Sequence, residues 1–514
     1  MPWPDNATSA AAGGIPTSRA YQRRVVLLLM LAYAFNASDR SIIAIIGQSM
    51  KGDLGLSDTQ LGLLGGTAFA LLYAFSGLPV ARLAERFNRV SIVSIALVVW
   101  SALTAICGLA TSFTQLLLLR IGVGAGEAGC TPPAHSLISD YVEPQRRATA
   151  LSVYSAGISL GYIFGAIVGG FVAFHFGWRY ACVAVGLPGI LCAVFVKLLI
   201  REPPRGHSEP RAGLGAVVVR APAAIARTFS LRSECAELGA VARALFLSWP
   251  IANMLLGVVI ASFASYGSWA FVPAFFRREF GLDLGTIGLV SGLTGGVSVG
   301  LGTLAGGAIA DYLGKRGPRW YALVPAIGLA IALPLYVLAF LQGSWQATAL
   351  VLALPGFFHY AYLGPTFGVV QNAVDSRRRA TATALLYMLL NVVALGCGPL
   401  FTGWATDAFA AFDFSHPDSH SLITTLLRMA RDGAGAGAGA SFQQACPGGQ
   451  APAEATAAVQ AACSDALALA SRQGILVTLG FYGWATLHYL AGAVGLASAM
   501  KAAALRNAAV AAGG

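Results

Sequence analysis

The chain has 514 residues, of which 11% are charged and 56% hydrophobic before its 61 Gly are counted, and its formal net charge is +11. A soluble domain carries about 25% charged residues to cover its surface, so a soluble enzyme, a nucleic-acid binder and a disordered chain are poor readings. What remains is a polytopic membrane protein.

Residues 1–23 read as a polar tail, and the apolar run behind them is too long for a signal peptide and lacks an Ala-x-Ala-type cleavage site. A spanning helix needs about 20 mostly apolar residues. Six such runs occupy 24–200, at roughly 24–48, 58–80, 90–110, 114–140, 148–174 and 179–200. A linker over 201–247, partly amphipathic around 212–230, separates them from runs at 248–275, 284–311, 320–341, 346–372 and 380–406, which together form 248–406. A long connection, 407–473, holds the low-complexity stretch Gly433 to Ala440. The last run is 474–500, followed by a tail at 501–514. The expectation is an all-α membrane protein with twelve transmembrane helices in two pseudo-symmetric six-helix bundles. Gly161, Gly165 and Gly169 share one face of helix five and favour close helix contact.

With both termini on one side, 23 of the 33 Lys and Arg fall on that side, seven on the other and three within spans. This positive-inside bias puts both termini in the cytoplasm, and the location expected is the inner (cell) membrane of a bacterium. The 407–473 connection is then periplasmic, where Cys446 and Cys463 either form a disulfide or remain two free thiols. The other six Cys show no C-x-x-C or Cys/His spacing, so neither a metal nor a cofactor is expected.

The halves repeat. Glu143-Pro-Gln-Arg-Arg-Ala-Thr-Ala150 follows helix four and Asp375-Ser-Arg-Arg-Arg-Ala-Thr-Ala382 follows helix ten, while Ala81-Arg-Leu-Ala-Glu85 and Gly307-Ala-Ile-Ala-Asp311 close helices two and eight. Parallel six-helix repeats around a central cavity suit a transporter that rocks about a midplane site.

These residues resemble those of a known family. Ala81-x-x-x-Glu85-Arg86-x-Asn88-Arg89 is similar to the 2–3 loop signature of the major facilitator superfamily, with Ala for the usual Gly and Glu for the usual Asp. Gly307-x-x-x-Asp311-x-x-x-x-Arg316 resembles its second copy. Arg120-x-x-x-Gly124-x-Gly126-Glu127-Ala128 resembles the fourth-helix signature, and Gly177-Trp178-Arg179 is also shared. Asp39-Arg40 and Gly124 to Ala128 most resemble the spinster-like branch. The resemblance implies alternating access, with no enzymatic activity. Eukaryotic relatives in that branch move lysophospholipids or sphingosine-1-phosphate, and bacterial ones are thought to be proton-coupled exporters of amphiphiles. The loop residues Glu85, Arg86 and Arg89 are expected to form a latch holding the bundles together when the cavity faces outward, with Asp311 in the matching role.

Charges within a span are costly and are functional hypotheses by default. Asp39 lies about 22 Å from the inner end of helix one and Arg120 about 9 Å from the outer end of helix four, at 1.5 Å per residue, so the two are expected to meet across the N-terminal half. Glu127 stands about two turns beyond Arg120 on nearly the same face. Asp39 and Glu127 are the proton-coupling candidates, and Arg120 the charge partner or the holder of an anionic head group. Arg40 is a weaker candidate for substrate contact or charge pairing, since it points about 100° away from Asp39, with packing at a helix interface as the alternative. A static Asp39–Arg120 salt bridge is the alternative. On the C-terminal side, Asn391, Asn253, Tyr266, His359 and Tyr362 are softer cavity candidates.

The expected activity is therefore proton-coupled export, by a monomer in the lipid bilayer, of a lipid-like or amphiphilic small molecule, with anionic ones among the candidates. An uncoupled facilitator or importer is the runner-up. A membrane-embedded lipid-modifying enzyme would need a nucleophile–base pair or a motif such as H-E-x-x-H, and the chain has none.

Overall fold

A computed structural model describes residues 18–143, 146–204, 231–374, 378–416, 422–432 and 438–512. Among them there is no β-strand. Helix α1 (Arg19–Leu54) is the first span. The second is α2 (Asp58–Gly62), which runs through a π-turn at Leu63–Thr67 into α3 (Ala68–Arg86), and α4 (Arg89–Cys107) is the third. Span four is divided into α5 (Phe113–Glu127) and α6 (Thr131–Tyr141), broken just ahead of Pro132 and Pro133, which have no N–H to continue the ladder. Helices α7 (Arg147–Ser155) and α8 (Gly157–Phe176) make span five, and α9 (Trp178–Leu199) is span six.

Helix α10 (Leu231–Phe246) lies in the connection between the halves. Spans seven to nine are α11 (Trp249–Phe280), α12 (Leu284–Gly314) and α13 (Trp320–Phe340). The tenth is α14 (Trp345–His359) joined by a tight turn at Tyr360–Tyr362 to α15 (Leu363–Asn372). Span eleven is α16 (Arg379–Leu389), a second π-turn at Leu390–Leu395, and α17 (Gly396–Ser415). Two short helices, α18 (Leu422–Asp432) and α19 (Ala438–Ala445), precede the twelfth span, α20 (Ala457–Ala493), and α21 (Leu496–Ala512) follows it.

Ten of the twelve spans are long and apolar enough to cross a membrane by length and composition alone. The other two fall short for local reasons: span four is split in two, and α20 opens with a polar stretch and carries Thr478, Thr486 and His488 further along. The connection expected over 407–473 is largely helical, because α17 continues to Ser415 and α20 starts at Ala457. The expected end of span twelve at 500 is corrected to Ala493, since Gly495 turns the chain there with a φ of +80°. The amphipathic stretch 212–230 and residues 144–145, 375–377 and 433–437 lie outside the described residues.

The halves meet through spans 2 and 11 and, in the equivalent pair, spans 5 and 8. One end of the bundle carries Arg24, Arg89, Arg316 and Lys501 and is called here the arginine-rich end. The other carries a disulfide between Cys446 and Cys463, whose Cα atoms are 5.8 Å apart. At the disulfide end the 5–8 seam is backbone against backbone. A Cβ on Gly170 would stand 2.5 Å from the Leu284 oxygen, and one on Gly288 2.2 Å from the Ala166 oxygen. Beside it Asp283 caps α12, and the Thr286 hydroxyl and amide hold its carboxyl below the usual range. At the arginine-rich end the same four spans expose large side chains, Phe75, Leu160, Leu304 and Tyr387.

A side chain at Gly288 should therefore force the seam apart. In Gly288→Val, a cysteine placed at Ser291 on the cavity wall is expected to become reactive to a membrane-impermeant maleimide applied at the disulfide end. Unchanged protection would show that the seam does not hold this end shut.

Candidate functional site

Between the halves is an empty space of about 1200 Å³ that runs on into solvent. Its wall takes Arg40 and Gln48 from α1, Phe69 from α3, Tyr162 from α8, Tyr266 and Trp269 from α11, Ser291 from α12, and Tyr360. Apolar and aromatic surface dominates, and Arg40 is the only charged side chain among the lining residues. The Trp269 indole nitrogen and the Ser291 hydroxyl have no hydrogen-bond partner. A mostly apolar space with few polar anchors suits an amphiphile.

Arg40 stands on the cavity wall and has a charge partner there. Its Nε donates to Glu127 Oε2 at 3.0 Å and its Nη2 to Asn36 Oδ1 at 3.1 Å. The guanidinium also lies 4.8 Å from the centre of the Phe69 ring and 5.0 Å from that of Tyr73. The 100° step from Asp39 turns Arg40 towards the cavity, and its long stem carries the charge back to Glu127. Exposure separates the partners: Arg40 is 22% exposed and Glu127 fully buried.

The expected pairing of Asp39 with Arg120 is corrected as well. No ion pair joins them, although both are buried and Arg120, Arg40 and Glu127 all act electrostatically on Asp39. Arg120 instead aims its Nε at the Leu64 oxygen in the π-turn of span two, at 3.4 Å. Matching depth along two straight helices thus placed these residues in one cluster but not in contact. Asp39 Oδ2, Glu127 Oε1, Arg120 Nη1 and Asn36 Nδ2 are all buried without a hydrogen bond of normal geometry, although Asn36 is close enough to act on Glu127 and Thr104 on Asp39. Four orphaned polar atoms in one cluster make a site with unmet demand for protons or water, since a buried polar group left unpaired costs about 1–3 kcal/mol.

Of the C-terminal candidates, Tyr266 lines the cavity. His359 does not. It ends α14, and the tight turn that follows presents Tyr360 to the cavity in its place. His359 is buried behind that wall, with its ring nitrogens 2.6 Å from the Tyr336 hydroxyl and 3.3 Å from that of Ser265. Asn391 is also off the wall. The second π-turn shifts the register of span eleven so that Leu395 and Pro399 face the cavity, and the Asn391 amide donates to the Tyr387 oxygen.

Of the residues expected to latch the halves when the cavity faces outward, Arg89 and Asp311 here bind within their own halves or the linker. Arg89 is buried and bound by Asp140, Glu202 (2.6 Å), Ser136 and the Pro203 oxygen, all in its own half or the linker's first residues. Arg86 is exposed, and Asp311 accepts from the Tyr321 hydroxyl within the C-terminal half. The Glu85 side chain lies outside the described residues. Arg89 thus ties the starts of α4 and the linker to the end of α6. Arg89→Ala is expected to lower stability by about 3 kcal/mol, the cost of stranding partly buried carboxylates. A thermal unfolding midpoint within a degree of the parent would contradict this.

The contact that does join the halves was not anticipated. Asp58, at the start of α2 and fully buried, accepts from Lys51 Nζ at 2.7 Å and from Arg278 of α11 at 2.5 and 3.1 Å. Arg278 also reaches Gln48 (2.8 Å) and Ser471 (2.8 Å). Asp407 of α17 accepts from the backbone amides of Asp58 (2.9 Å) and Thr59 (2.7 Å), so a carboxylate from one half caps a helix of the other. Gly403 permits this approach, since a Cβ there would meet the Asp58 oxygen at 2.1 Å. The cluster closes the disulfide end of the cavity. Its sequence signal was weak but present: Lys51 and Asp58 flank a short connection, and Arg277-Arg278 end a long apolar span.

The sequence profile described as Major Facilitator Superfamily matches residues 29–399. An MFS-type efflux pump of Mycolicibacterium smegmatis is 32% identical over 74% of this chain and 83% of its own length. A probable L-galactonate transporter of Escherichia coli is 26% identical over 76% and 84%. Among solved structures, a bacterial homologue of the human lysosomal transporter Spinster, in an inward-facing and occupied conformation, superposes with a TM-score of 0.74 at 31% identity. That match covers 92% of this chain and 97% of the other. All three are transporters.

Proposed function

Because the chain belongs to the Major Facilitator Superfamily and resembles its spinster-like branch, we propose that it is a proton-coupled secondary transporter of an amphiphilic small molecule with an anionic group. It works by alternating access, with both termini cytoplasmic, and the conformation described above is inward-facing: closed at the periplasmic disulfide end and parted at the arginine-rich end. The observation that carries this reading is Arg40, the one charge on the cavity wall, bound to a buried Glu127 beside Asp39. With both carboxylates ionised, the two Arg and two acids of the cluster sum to zero. Protonating Glu127 weakens its hold on Arg40 and leaves a guanidinium facing the cavity, which a carboxylate or phosphate of the cargo takes up. Proton and anion therefore bind together, and the apolar wall receives the rest of the molecule. Charge accounting thus favours proton–anion cotransport, and the carboxylate of galactonate, the cargo named for the probable transporter of Escherichia coli, is an anionic group of this kind.

A second reading, export in exchange for protons, is favoured by the likeness to an efflux pump. It requires cargo and proton to compete for the same carboxylate, as a cationic or zwitterionic amphiphile would. The sign of proton movement decides between them. In proteoliposomes with an internal pH dye, a lysophospholipid, a sugar acid and a cationic amphiphile are added outside in turn. Internal acidification with uptake of an anion supports cotransport, and alkalinisation with a cation supports exchange. Labelled substrate crossing with no proton flux would overturn both and leave an uncoupled facilitator.

A further inference from the structure

We infer that α18 is an in-plane membrane anchor, seated in the lipid leaflet at the disulfide end. Its exposed face is apolar: Ile423 is 70%, Leu427 66% and Leu426 43% exposed, and exposed Ala430 continues the same stripe at helical spacing. Its inward side carries Leu422 and Met429, packed against the apolar cluster beneath, and one polar contact, at Thr425. Thr425 is fully buried, donating to Asp413 Oδ1 at 3.3 Å and accepting from Gln473 Nε2 at 3.2 Å. A helix docked on a water-exposed domain keeps its large apolar residues inward, whereas Ile423, Leu426 and Leu427 of α18 face outward.

The same hydrogen bonds fix the height of α18. Gln473 stands two residues from Ser471, which binds Arg278 in the closing cluster, and directly before Gly474, where the apolar run of span twelve begins. Thr425 is therefore held at the edge of the hydrocarbon, and its outward neighbours continue the lipid-facing surface of the bundle, where Trp404 on α17 is also exposed. A helix with this geometry sits with its apolar face about 5–10 Å into the head-group boundary. Arg431, one turn after Leu427, borders the stripe, which matches an anionic lipid head group. This inference is independent of cargo and coupling.

The test uses single cysteines at Ile423, Leu427 and Ala430 in a Cys397→Ser background, labelled with bimane, in nanodiscs containing phosphatidylglycerol. Ala430→Cys removes no large side chain, so it reports even if the other two disturb the helix. Leu350→Cys, on the exposed surface of α14, is the lipid reference, and Gln460→Cys, in the first turn of α20 and ahead of its apolar run, the aqueous one. The expected result is quenching by a shallow doxyl lipid within twofold of the Leu350 label, and iodide quenching at least threefold weaker than at Gln460. Iodide quenching equal to that at Gln460 would overturn the anchor. So would protection from both quenchers, which would mean that a second copy or another protein covers the face.

Discussion

Asp58→Ala is expected to turn the protein from inward-facing to outward-facing. The substitution strands Lys51 and Arg278, 2% and 3% exposed in their side chains, without their shared carboxylate. Removing one partner of a buried pair costs about 3–5 kcal/mol, and here the cost falls only on the closed state, because opening returns both cations to water. At about 1.4 kcal/mol per factor of ten, that shifts the equilibrium at least a hundredfold. Pulsed electron–electron resonance between spin labels at Thr111 and Gly343, exposed in opposite halves near the disulfide end, should show the distance lengthen. Adding Lys51→Met and Arg278→Met to Asp58→Ala removes the stranded charges and should recover part of the short distance. An unchanged distribution in Asp58→Ala would mean that the helix seams, not the ions, hold this end shut.

Glu127→Gln is expected to abolish substrate-driven proton flux, at least tenfold, while counterflow of labelled substrate persists. The amide still accepts from Arg40, so the side-chain tie between α1 and α5 survives, but it cannot take up or release a proton. Retained counterflow is what separates a coupling residue from a merely structural one. Asp39→Asn should lose coupling in the same way, because its carboxylate shares the field of both Arg and of Glu127. If both variants pump protons normally, the cluster is structural and the facilitator reading takes over.

The helical plan was legible in the sequence because lipid imposes a length and a composition on every span. The repeated loop motifs and the isolated charges at 39, 120 and 127 were legible for the same reason: each breaks an otherwise apolar run. Which charge met which was not. Asp39 and Arg40 are neighbours in sequence, and a straight-helix estimate of depth cannot tell whether a long guanidinium reaches up or down. The π-turns at Leu63–Thr67 and Leu390–Leu395 leave no periodic trace, yet they decide that Arg120 meets a backbone oxygen and that Asn391 misses the cavity. The closing cluster was hidden by distance, since Asp58, Arg278 and Asp407 are brought together only by the packing of the halves. The stripe of Ile423, Leu426 and Leu427 has helical spacing, but it is too short beside a spanning run to stand out within the long connection.

Asp58, Lys51 and Arg278 are almost completely dry where the halves meet. Parting them is therefore a wetting transition: the carboxylate, the two cations and the capped amides of Asp58 and Thr59 must each gain water as they lose one another. The rate of opening should then depend on water activity as well as on cargo. An excluded osmolyte such as sucrose should hold the protein inward-facing and slow turnover.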